Sequence, residues 1–172
     1  MKTSSFKKLS FLIILFLILT SISFKVYKFK LNYSEVIKQA DIRYTWKDSV
    51  SLAEGEKIYQ RILKGDLVNN QKYPLYWPFI YQLTALFYRL GGSLFTYSLL
   101  TLIVSLLLES LASLAIFKFF ANQKKEFAGL FFSFFWLFNN YNFFVSGTLQ
   151  LDIVIASLLI ICLLVLEKNT FF

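Results

Sequence analysis

Few residues in this chain can do chemistry. Histidine is absent, and the one cysteine, Cys162, lies in an apolar run with no partner. That removes histidine-ligated zinc, the Ser-His-Asp arrangement and any disulfide framework. What remains is the chemistry of carboxylates. Asp41 and Asp48 lie in a polar stretch, Asp152 stands at the edge of an apolar run, and Glu109 interrupts another. A single carboxylate can take a proton from a hydroxyl, and two can hold a divalent cation. A carboxylate inside an apolar span is costly and marks either function or helix packing. Each residue also has a plainer reading. Asp41 could pair with Arg43 or Lys38, Asp48 could cap a helix, and Asp152 could sit at a helix start where the dipole favours it. Glu109 could be a packing contact held by the hydroxyls of Ser105, Ser110 and Ser113.

The elements that must position these groups are apolar. Hydrophobic residues make up 57% of the 172, and charged residues only 16%, well below the quarter usual in soluble domains. Mean hydropathy is +0.59, which excludes a disordered chain and argues for an integral membrane protein over a soluble enzyme. The net charge of +8 does not indicate nucleic acid, because the basic residues flank apolar segments or mix with acids.

About 20 residues at 1.5 Å rise cross the hydrocarbon of a bilayer. The sequence predicts an all-α, multi-pass transmembrane helical bundle with about four spans. After a cytoplasmic N-terminus over 1–8, the first transmembrane helix covers 9–24, with Lys25 snorkelling to the interface. A cleaved signal peptide is the alternative, with Ser21-Ile22-Ser23 as a weak cleavage site. The outer loop covers 25–92, the second span 93–120, the third 127–146 and the fourth 149–167, with a cytoplasmic end at 168–172. Lys118, Lys124 and Lys125 lie in the short second connection, which should be cytoplasmic. The N-terminus is then inside and the long loop outside, in a cell-membrane location.

That outer loop should carry amphipathic and interfacial helices. From about Asp48 to Lys64, Val50, Ala53, Ile58, Ile62 and Leu63 share a broad face, with Glu54, Lys57 and Arg61 opposite. Gly55 weakens the middle and marks a break or a close approach. Tyr73-Pro74-Leu75-Tyr76-Trp77-Pro78 should be a rigid turn opening a helix near Pro78, which stops at Gly91-Gly92. Its aromatics suit an interfacial zone.

Taken together, Asp41-x2-Tyr44-x10-Gly55-x3-Tyr59-x13-Tyr73-Pro74-x3-Pro78 resembles the first outer loop of the GT-C superfamily of membrane glycosyltransferases. The nearest branch is that of polyprenyl-phosphate-sugar-dependent mannosyltransferases and their bacterial relatives. Ala53-Glu54-Gly55-Glu56-Lys57-Ile58-Tyr59 and Tyr73-Pro74-Leu75 follow that layout, with one proline where relatives often have two. Gly147-Thr148-Leu149-Gln150-Leu151-Asp152 resembles the family's opening of the fourth span. Family members carry about eight or more spans, so the chain looks like an N-terminal part.

The resemblance implies transfer of a hexose, such as mannose, from a polyprenyl-phosphate sugar to an acceptor hydroxyl at the outer face. Phosphate is already a good leaving group, so one base suffices, whereas glycoside hydrolysis usually needs two carboxylates. Asp41 is the implied catalytic base. Asp48 and Asp152 are candidate second carboxylates, and Tyr44, Tyr73, Tyr76, Trp77 and Arg89 are candidate substrate-binding residues. No cofactor is required, although a divalent metal is compatible with the carboxylates and its ligands are unknown. The partners implied are membrane lipid, the lipid-linked sugar donor and a glycan, lipid or protein acceptor, with no nucleic acid. The competing expectations are a non-catalytic four-span membrane subunit and a small transporter, the latter motivated by Glu109 and Asp152.

Overall fold

A computed structural model describes residues 2–39, 41–60, 78–139 and 152–170. The described residues are helical, with no strand among them. In chain order they form α1 (Lys2–Gln39), α2 (Asp41–Ala53), a 3-10 turn (Ile58–Gln60), α3 (Pro78–Arg89), α4 (Leu94–Asn122), α5 (Glu126–Phe138) and α6 (Asp152–Thr170). By length and composition, Lys8–Leu31 within α1 and Leu94–Asn122 are able to cross a membrane, whereas Glu126–Phe138 and Asp152–Val165 are shorter apolar helices.

The long helices α1 and α4 run antiparallel. Ile14 and Ile18 share a buried cluster with Phe117, and Phe29 shares another with Leu102 and Leu106. Tyr33 meets Phe95 edge-on, with ring centroids 5.3 Å apart. Residue numbers thus rise on α1 as they fall on α4. The N-terminal part of α1 therefore lies at the same end as the C-terminus of α4, and α5 and α6 also pack on α4.

The buried face of α4 mixes small and polar residues with Leu102, Leu106 and Phe117, and its exposed face is large and apolar. Ser98, Thr101, Ser105, Glu109, Ala112 and Ser113 are buried along α4, while Leu99, Leu100, Ile103, Val104, Leu107 and Leu111 are exposed. Most of the buried hydroxyls bond their own helix. Ser98 donates to the Leu94 carbonyl at 2.7 Å, Thr101 to Tyr97 at 3.0 Å and Ser105 to Thr101 at 2.8 Å. This pattern suits helices that approach closely in an apolar solvent, and it leaves extensive apolar surface uncovered. Gly129 marks one such approach, because a Cβ there would lie 3.0 Å from the Phe117 carbonyl.

Three helix ends close in the same way. Gly55 (φ 97°), Gly91 (φ 86°) and Lys124 (φ 59°) each take the left-handed conformation just after a helix. In each case the next residue's N–H reaches back five residues: Glu56 to Ser51, Gly92 to Phe87 and Lys125 to Phe120. These are Schellman closures, which satisfy carbonyls left free at a helix C-terminus. The next helix start is equally local. The Ser93 hydroxyl accepts from the Thr96 N–H at 3.2 Å, and the Thr96 hydroxyl accepts from the Ser93 N–H at 2.9 Å, a reciprocal cap on α4.

Several boundaries differ from expectation. The first helix continues through Gln39 instead of giving way to a loop at 25, because Lys25 is buried and paired inside the bundle. The expected helix from Asp48 to Lys64 is replaced by α2, which starts at Asp41 and ends at the Gly55 closure. Asp48 therefore lies within α2 and is not its cap. The third apolar helix ends at Phe138, and Asn139 follows in extended backbone (φ −65°, ψ 150°). Residues 140–146 of the expected third span lie outside the described residues. The helix expected from Pro78 to the Gly91-Gly92 pair is α3, and Ser93 opens α4 as expected.

Candidate functional site

Asp41 is the first residue of α2, which begins two residues after α1 ends. Its side chain lies outside what the structure describes. Its neighbour Ile42 is fully buried and shares a cluster with Phe29 of α1 and Leu102 and Leu106 of α4. The start of α2 is thereby pinned into the crevice between the two long helices.

The register of α2 separates two stripes. Ile42, Thr45 and Ser49 are buried, at i, i+3 and i+7. Positions 41, 44 and 48 have the same spacing one residue earlier, so three of the candidate site positions fall on one adjacent stripe. Tyr44 is exposed and Asp48 half-buried. Positions 41 and 48 are two turns apart, about 10 Å of axial rise, which is long for two ligands of one small cation.

The other face of α2 meets an aromatic cluster. Trp46 makes edge-on contacts with Phe87 and Tyr88 of α3, with centroids 6.4 and 5.8 Å apart, and lies tilted against Tyr97 of α4 at 5.5 Å. The Thr84 hydroxyl of α3 is hydrogen-bonded to the Tyr97 hydroxyl at 3.1 Å. Arg89, a candidate phosphate contact, donates from Nη2 to the Ala53 carbonyl at 2.8 Å and so closes the C-terminus of α2. Tyr59 meets Tyr81 edge-on at 6.0 Å. Desolvation first, then Tyr81 and Asp48, holds the Tyr59 phenol above its ordinary value of 10.0, so it is a neutral donor at physiological pH.

Asp152 is the first residue of α6 and is exposed. It begins a helix that packs on α4, whereas α2 packs most extensively on α3. Tyr73, Tyr76 and Trp77 lie outside the described residues. Among the described residues no group of three or more His, Cys, Asp or Glu side chains is placed to hold a metal ion.

The polar contact at the centre of the bundle lies elsewhere. Lys25 and Glu109 form a fully buried ion pair between α1 and α4. The hydroxyls expected to hold Glu109 do not. Ser105 and Ser110 bond carbonyls of their own helix, and Ser113 Oγ is buried with no partner among the described residues. Trp136 of α5 donates from Nε1 to the Glu109 carbonyl at 3.3 Å.

The chain matches no known family model, no curated protein and no solved structure.

The sequence reading passed over Trp46 and placed Lys25 at the interface, where the structure instead buries it against Glu109. Trp46 has its signal in the spacing of Ile42, Thr45 and Ser49, which marks a buried face starting at position 41, seven residues earlier than expected. Lys25 has its signal in Glu109. An intramembrane carboxylate calls for an opposite charge, and Lys25 is the basic residue nearest the centre of the first apolar helix.

Proposed function

We propose that this chain is a membrane-embedded glycosyltransferase, or the front part of one. It transfers a hexose from a polyprenyl-phosphate sugar to an acceptor hydroxyl. Asp41 takes the hydroxyl proton as the acceptor oxygen bonds to the sugar carbon. The bond from that carbon to phosphate breaks, the polyprenyl phosphate leaves with the electron pair, and the configuration inverts. In this reading α1, α4, α5 and α6 are four spans, with α2 and α3 outside and the α4–α5 turn in the cytoplasm.

The observation that carries the reading is the place of Asp41, at the start of α2, ten residues beyond the apolar stretch of α1 that ends at Leu31 and next to Ile42, which packs back on Phe29, Leu102 and Leu106. Lipid-linked sugar phosphates present their reacting carbon near the end of such an apolar stretch. The orientation has support in the antiparallel pairing of α1 and α4, which gathers Lys8, Lys118, Lys124 and Lys125 at the opposite end. The sugar and acceptor classes rest on the resemblance of the Asp41 to Pro78 stretch to the GT-C outer loop.

The test is Asp41→Asn in the full-length protein, reconstituted with a polyprenyl-phosphate sugar. Transfer should fall by about 100-fold or more, the usual contribution of a positioned base, while membrane insertion is unchanged. Retained transfer sinks the assignment. A second reading, a non-catalytic four-span subunit or a small transporter, is favoured by the buried Lys25–Glu109 pair, which the glycosyltransferase motifs do not include.

A further inference from the structure

Three exposed lysines lie at the α4–α5 junction, Lys124 and Lys125 in the turn and Lys118 near the end of α4. None of them is in an ion pair among the described residues. The neighbouring acid, Glu126, offsets one of the three charges. Lys124 holds a left-handed conformation (φ 59°) at the closing position of α4, a place where glycine would be unstrained. A long basic side chain is kept there against the local backbone preference.

From this turn α4 and α5 run together, and with α6 they bound an open groove of about 520 Å³. Phe120, Phe132, Phe135, Trp136 and Ala156 line it, with Asn139 among them, so it is largely apolar. Its near end is tied to the lysines, because the Lys125 N–H donates to the Phe120 carbonyl at 2.9 Å and the Phe120 and Phe132 rings stack 5.1 Å apart. Trp136 lies eleven residues beyond Lys125 on α5, about 16 Å at helical rise. One leaflet of a bilayer is about 15 Å of hydrocarbon, half of the whole core. Trp136 therefore lies near the depth a leaflet's acyl chains reach when their phosphates lie at the lysine turn, and the groove continues one turn further to Asn139.

We propose that the groove and the turn form a binding site for an anionic diacyl phospholipid. One acyl chain lies along Phe120, Phe132 and Trp136, and the phosphate lies against Lys124 and Lys125. The two parts need each other. An apolar groove alone would accept any lipid tail, and the lysines alone would bind any anion. Basic pockets beside membrane helices select anionic headgroups. The proposal rests on the membrane reading and is independent of the catalytic one, since this end lies opposite Asp41.

The test uses full-length protein in phosphatidylcholine nanodiscs. Trp46→Phe and Trp77→Phe leave Trp136 as the sole indole, and its fluorescence is quenched by lipids brominated on the acyl chain. Brominated phosphatidylglycerol should quench at about thirtyfold lower content than brominated phosphatidylcholine, the preference expected from two lysines at a membrane surface. Lys124→Gln with Lys125→Gln should abolish that preference, and Ala156→Phe should weaken quenching by both lipids. Equal quenching by the two lipids would overturn the site and leave insertion intact. No quenching by either would show the groove covered by protein and would also overturn it. Failure to enter the nanodisc would sink the membrane reading itself. Native mass spectrometry of the unaltered chain supplies a second reading. Phosphatidylglycerol should stay bound where phosphatidylcholine is lost, and equal loss counts against the site.

Discussion

Lys25 of α1 and Glu109 of α4 meet side chain to side chain inside the helical bundle, both almost wholly removed from solvent. Neither charge is stable there alone, so each fixes the other and, through it, the register of the two long helices. Glu109 is also held through its backbone by Trp136 of α5, which makes this level of the bundle a junction of three helices. Glu109 Oε1 has no further partner among the described residues, so Lys25 carries the compensation.

Breaking that pair should therefore be expensive. Lys25→Met leaves a buried carboxylate alone, and Glu109→Leu leaves a buried ammonium. Each is expected to destabilise the protein by about 3–5 kcal/mol. The double variant Lys25→Met with Glu109→Leu should recover most of the loss, because an apolar pair leaves no charge unpaired. Unfolding of the reconstituted protein by denaturing detergent measures all three. Singles indistinguishable from the double would mean that the charges are not coupled.

Much of the fold could be read in the sequence, and the failures have physical causes. Pro78, the Gly91-Gly92 pair and Ser93 are local signals, and they set α3 and the start of α4 where expected. The first helix was read too short because charge was taken as the end of an apolar run. Lys25, Lys28 and Lys30 do not end α1, since a long-range partner removes the penalty for the one that is buried. Tertiary pairing of this kind leaves no trace in a local window. The start of α2 was missed for a different reason. Its buried face holds Thr45 and Ser49 beside Ile42, so a search for large apolar residues passes over it. At the candidate site, motif order singled out position 41, which the structure describes only as the start of α2, whereas the contact of Arg89 with the Ala53 carbonyl depends on how α3 folds back on α2.

Enlargement at Gly129 is expected to push α4 and α5 apart. A Cβ there would meet the Phe117 carbonyl at 3.0 Å and the Phe117 ring at 3.2 Å, and the nearest of these atoms is backbone. Gly129→Ala should separate α4 from α5 slightly. Gly129→Val should destabilise the protein by about 1–3 kcal/mol, the usual range for overpacking. The same detergent unfolding midpoint reads the effect. A Gly129→Val protein as stable as the parent would show that this contact is not close in the membrane.

Arg89 separates a structural role from a substrate role. Its guanidinium closes the C-terminus of α2 through the Ala53 carbonyl, on the exposed side of the α2–α3 unit. Arg89→Lys keeps the charge and loses the planar fork, and Arg89→Met loses both. If the closing bond is the main contribution, both variants should speed amide exchange in the last turn of α2 and lower stability by no more than about 1 kcal/mol. If a donor phosphate is also bound, Arg89→Met should raise KM for the sugar donor well beyond Arg89→Lys. Donor kinetics beside hydrogen exchange distinguish the two, and unchanged exchange in both variants removes the structural role.

Trp46 tests whether the position of Asp41 depends on the packing behind it. The indole contacts rings of both α3 and α4, through Phe87, Tyr88 and Tyr97. Aromatic pairs of this geometry contribute about 0.5–1.5 kcal/mol each beyond buried area. Trp46→Leu keeps an apolar side chain but loses the edge-on contacts, so α2 should loosen while α1 and α4 stay paired through Lys25 and Glu109. Amide exchange should rise across α2 and α3 and remain unchanged at Leu102 and Leu106. Transfer should fall through kcat more than through KM, because a base held loosely is misplaced in the transition state without losing the bound donor. Trp46→Phe, which retains a ring, should restore most of both. If Trp46→Leu loosens α2 and transfer is unaffected, Asp41 is not positioned by this helix, and the reaction must draw its base from elsewhere in the protein.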